Sequence, residues 1–140
     1  MSQVTLSGSS ELLALAYGAL DGDLNIPERR RSRAAALLGR RALEELAVAI
    51  PLADGIDLSD ATMRSTLICL RHLSDPSVGR PLADPSVAQA AVVAWHGLSN
   101  VCHHHAYELT PTSVEVRRLL DMVRVLEEQV DRSAVFGTAG

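Results

Sequence analysis

Thr112–Val130, TSVEVRRLLDMVRVLEEQV, decides the fold class. Thr112 followed three residues later by Glu115 is a capping-box pattern, in which a threonine oxygen takes up an orphan amide of the first helical turn. Behind it Val116, Leu119, Leu120, Val123, Leu126 and Val130 recur at helical spacing, with Arg, Asp and Glu between them. Only an amphipathic helix puts those six residues on one face.

Working back toward the N-terminus, the same reading predicts four more helices. The nearest begins around Ser86 and is expected to extend to about Leu109. Before it, DPSVGRPLADPS (Asp75 to Ser86) holds Pro76, Pro81 and Pro85 and is expected to be the one long loop. Met63, Leu67, Leu70 and Leu73 mark a third segment opening near Ser59-Asp60. A long second segment begins at Pro27, a favoured first helical residue, and continues to Ile50 before Pro51. Its stripe is Leu38, Leu43, Leu46, Ala47 and Ile50, with Arg29, Arg30, Arg33, Arg40 and Arg41 on the remainder. The first segment covers about Glu11 to Leu20, capped by Ser9 or Ser10 and stopped by Asp21-Gly22-Asp23.

No segment alternates with period two, and no internal repeat is present. The fold class expected is therefore all-α, an antiparallel bundle of four to five helices. Residues 1–140 are expected to form one domain, with the bundle over 10–132 and a flexible tail over 133–140.

Composition limits the function. The chain carries a net charge of −4, so binding a polyanion requires a local basic patch. All thirteen basic residues are Arg, whose planar donors suit carboxylate and phosphate. Cys69 and Cys102 make no disulfide framework and fit a reducing compartment. MSQVTLSGSS has neither a basic n-region nor an apolar h-region, and no stretch approaches the ~20 apolar residues of a membrane span. A cytoplasmic location is expected.

Chemistry concentrates in NVCHHHAYELTPT, Asn100 to Thr112, where His103, His104 and His105 are consecutive and Tyr107 and Glu108 follow. On a continuous helix, His96, Asn100, His103 and Tyr107 share the polar face. Three readings compete. One is a metal site using His96 with His103, or His104 with Glu108, joined by Cys69 and His72; no CxxC pair or HExxH motif supports it. A second is metal-independent acid–base chemistry on a phosphodiester, with an imidazole taking a ribose 2′-hydroxyl proton and a cation holding the phosphate. The third is a polar face that mates with another subunit or partner.

The block AWHGLSNVCHHHAYELTPT and the long helix RRRSRAAALLGRRALEELA resemble HEPN domains, small all-α domains of prokaryotic toxin–antitoxin and antiviral systems. Active members are metal-independent endoribonucleases with an Arg, four to six residues, a His, and often a Tyr two positions on. His105-Ala106-Tyr107 matches the second half of that motif, and Asn100 stands where its arginine is expected. The resemblance implies RNA as target, a homodimer with the motif lining its cleft, a cognate antitoxin or other partner protein, and no cofactor. It makes His105 the candidate base or acid, flanked by His103 and His104, with Tyr107 orienting or donating. Asn100 then replaces the phosphate-holding arginine, and Arg64, Arg71, Arg117 or Arg118 are the candidates to supply the missing cation. Asn100 and His105 differ by about 140° on a continuous helix, so that reading needs local unwinding near His103–His105 or a dimer.

Overall fold

The computed structural model describes the backbone of residues 4–78, 84–103 and 112–139, and side chains over 8–78, 84–103 and 112–131. Five α-helices follow in order: α1 (Val4–Asp21), α2 (Glu28–Leu52), α3 (Met63–Leu73), α4 (Pro85–Cys102) and α5 (Ser113–Ala139), with a 3-10 turn at Pro76–Val78. There is no strand among the described residues, and the all-α bundle is as expected.

Local chemistry explains the helix ends. Gly22 and Gly55 adopt φ of 80° and 83°, a left-handed backbone that glycine takes without a side-chain penalty. Asp23 N–H then reaches back to Gly18 C=O, and Ile56 N–H to Pro51 C=O, closing both helices with the six-to-one bond of a Schellman motif. Thr62 caps α3 by accepting from Ser65 N–H, and Asp84 caps α4 by accepting from Ser86 N–H. Thr112 accepts from Glu115 N–H at 3.1 Å, as its capping pattern predicts.

Several boundaries differ from those expected. Ser9 and Ser10 do not cap α1; they lie inside it, with Ser9 buried, because nothing between Val4 and Ser10 stops the helix. Pro27 is the cap position of α2 and not its first helical residue. Pro51 sits in the last turn of α2, where its missing N–H costs a single bond and the chain continues to Leu52. α5 extends to Ala139, beyond residue 133 where the sequence suggests a tail.

The core is aliphatic. Leu43 and Leu46 of α2, Leu70 of α3, Leu98 of α4, and Leu120 and Leu126 of α5 are among its largest fully buried side chains. α2 is the hub: α1, α4 and α5 all pack against it, α5 also touches α1 and α4, and α3 lies against α2 and α4. A Cβ on Gly39 would collide with Leu120 and come within 3.6 Å of Leu98, so this glycine lets α2, α4 and α5 approach closely.

Candidate functional site

Arg64 and Arg71 are seven residues apart on α3. Two helical turns separate them, so they lie on one face about 10 Å apart along the axis. With Leu67 and Ile68 they form one wall of a groove of about 530 Å³. Val92, Trp95 and His96 of α4 form the other. A second depression joins Arg71, His72 and Ser74 at the end of α3 to Pro85 and Gln89 at the start of α4. The two helices therefore run antiparallel.

α3 and α4 contain no Asp or Glu, although the chain as a whole is acidic. Asp75 and Asp84, at the adjoining helix ends, are turned to neighbouring serines. Asp75 accepts from the amide and hydroxyl of Ser77, and Asp84 from those of Ser86. Those bonds stabilise the ionised carboxylates and hold both groups below the usual aspartate range.

Trp95 joins this groove to another. Arg40 of α2 lies over its ring at 4.7 Å from the centroid, a cation–π contact. The indole also borders a depression of about 800 Å³ that includes Arg41, Glu44, Glu45 and Thr66. Arg40 and Arg41 pair with Glu44 at 3.8 and 3.3 Å, which makes this part of α2 a charged ladder. Burial raises the Cys102 thiol above its ordinary value, and Arg40 acts against that rise.

The expected site residues divide into three groups. Arg64, Arg71 and His96 all line the α3–α4 groove. Asn100 and His103 are exposed on α4 and at its end, in line with His96 at spacings of four and three. His104, His105, Tyr107 and Glu108 lie outside the described residues. The expected cations of α5, Arg117 and Arg118, do not line the groove. Arg117 pairs with Asp21 and stands over the Tyr17 ring at 5.7 Å, bracing α5 against α1. Arg118 is exposed on α5 and lines none of these depressions.

α4 ends at Cys102, seven residues short of the Leu109 that its pattern suggests. His103 takes φ −101° and ψ 18°, and its N–H closes on Ser99 C=O at 3.1 Å. Histidine is a mediocre helix former, so a run of three weakens the helix where it begins. No group of three or more His, Cys, Asp or Glu able to hold a metal occurs among the described residues. Among the same residues, no helix is long and apolar enough to cross a membrane.

Two residues of this region are not evident from sequence. Arg40 reads as one of the solvated arginines of α2, yet it falls between Ala36 and Leu43 of the buried stripe, a spacing that already turns it inward. Trp95 reads as a core or interface anchor, and its half-buried position beside Arg40, Arg64 and Arg71 is visible only in the fold. The chain matches no family model, no curated protein and no solved structure.

Proposed function

We propose that this chain is an RNA-directed helical domain of HEPN-like type, gripping the ribose-phosphate backbone along the α3–α4 face. One observation carries the reading: Arg64, Arg71 and His96 line one groove with Trp95, on two helices that contain no carboxylate. Arginine donors make charge-assisted contacts to phosphate oxygens, and such contacts dominate affinity for nucleic acid. From His96 the polar row continues through Asn100 to His103, about 10 Å along the axis, toward the histidine block. α4 ends at Cys102, and His105 lies outside the described residues.

In this reading the imidazoles of His103–His105 move the proton of the 2′-hydroxyl, Tyr107 orients or donates, and Asn100 offers neutral donors to the phosphate. Loss of one charge-assisted transition-state contact costs ~2.7–4 kcal/mol, or roughly 10²–10³ in rate. Cleavage is accordingly slow.

The test is binding of a labelled RNA across a salt series, followed by incubation in excess EDTA. The protein is expected to bind with strong salt dependence, and Arg64→Ala and Arg71→Ala to weaken binding and flatten the salt slope. Products are expected to carry 2′,3′-cyclic phosphate ends, to vanish in His105→Ala and to increase in Asn100→Arg. Absence of RNA binding at low salt removes the proposal; binding without cleavage removes its catalytic half.

A second reading rests on a separate observation. Ile68 in the groove wall is 63% exposed and Val93 on α4 is 40% exposed, so apolar surface accompanies the cations. That combination fits an acidic protein partner, such as an antitoxin, in a non-catalytic module. No RNA binding at any salt concentration, together with binding of an acidic partner that Ile68→Asp abolishes, favours it.

A further inference from the structure

We infer that Trp95 is a stacking platform for an unpaired base, so that the α3–α4 groove selects single-stranded RNA over duplex. This rests on the RNA reading above and adds the substrate class. Phosphate contacts from Arg64 and Arg71 carry no preference for unpaired bases by themselves. The indole supplies one. A base in a duplex already stacks on its neighbours, whereas a splayed base finds a partner in an aromatic ring.

Several features of the site support this role. Trp95 borders the groove directly beside Arg64, Arg71 and His96, so a strand held by its phosphates passes the ring. Arg40 covers one face of the ring and, paired with Glu44, holds the indole in place, so the base stacks on the opposite face at a lowered entropic cost. The remaining wall residues, Leu67, Ile68 and Val92, are aliphatic and tolerate any base face without demanding a sequence. The groove, about 530 Å³, is within the roughly 300–1,000 Å³ range of small-ligand pockets.

Trp95 is the single tryptophan of the chain, so its emission reports on the site alone. The experiment titrates the intact protein with a mixed-sequence RNA of about 12 nucleotides, within the span that single-strand grooves cover, and with the blunt duplex of the same sequence. The single strand is expected to quench the emission and to bind more tightly than the duplex. Trp95→Leu is expected to weaken single-strand binding by roughly 5- to 150-fold, the equivalent of one base–aromatic stack, and to weaken duplex binding less. Trp95→Phe should recover part of the loss, and the wild-type emission readout stands even if Trp95→Leu folds poorly. Equal binding of both probes with unchanged emission, while Arg64→Ala still weakens both, overturns the stacking role and leaves the phosphate reading intact. Binding of neither probe overturns both.

Discussion

The guanidinium of Arg40 lies over the indole of Trp95, 4.7 Å from the ring centroid, and so ties α2 to α4 at the edge of the cationic groove. Arg40→Met keeps the aliphatic stem and removes the charged plane. The variant is expected to lose about 0.5–2 kcal/mol of stability, and its Trp95 emission should become more accessible to acrylamide. Unchanged quenching would show that the ring is held by packing alone.

Gly39 permits a close approach that no larger residue allows, since its added Cβ would run into the fully buried Leu120. Gly39→Ala is expected to destabilise the fold: overpacking costs about 1–3 kcal/mol, and the gain in helix propensity of about 1 kcal/mol offsets only part. Gly97→Ala meets Leu119 at 2.6 Å, but Leu119 is only partly buried whereas Leu120 is fully buried. Thermal denaturation should therefore rank Gly39→Ala below Gly97→Ala; the reverse order contradicts this account.

Asp84 is held below the usual carboxylate range by the hydroxyl and amide of Ser86. A depressed carboxylate contributes stability above its unfolded value, and that contribution disappears as pH falls through the folded value. Asp84→Ala should therefore lower Tm at neutral pH and converge with wild type in strong acid. A Tm difference independent of pH would argue against the cap.

Glu127 has the opposite sign. Burial, reinforced by the nearby carboxylates Asp131 and Glu128, raises its pKa, while Ser10 and Arg124 oppose the rise. Its Oε2 is buried without a hydrogen-bond partner. The unfolded chain ionises this residue more readily, so it costs stability above the ordinary glutamate range and none well below it. Glu127→Gln is expected to raise Tm at pH 7, with the gain shrinking toward acid. A loss of Tm at pH 7 refutes it.

Much of the architecture is legible in the chain because helical periodicity and capping chemistry are local. Thr112 with Glu115, the Val116–Val130 stripe, and Arg64 with Arg71 on one face of α3 follow from spacing. Ends are harder. Ser9 and Ser10 look like caps, yet capping depends on whether the preceding residues also form a turn, and here they do. The site is legible only in part, since a sequence orders residues along helices but does not say which helices become neighbours. Arg117 and Arg64 are equivalent as text; Asp21 and Tyr17 hold one, while α4 faces the other.

α3 carries Arg64, Arg71 and His72 with no Asp or Glu, so its formal charge is opposite in sign to the −4 of the whole chain. In the RNA reading proposed above, that difference favours approach of the polyanion to the α3 side. In that same reading, orientation is biased before contact, and raising the ionic strength weakens the bias together with the affinity.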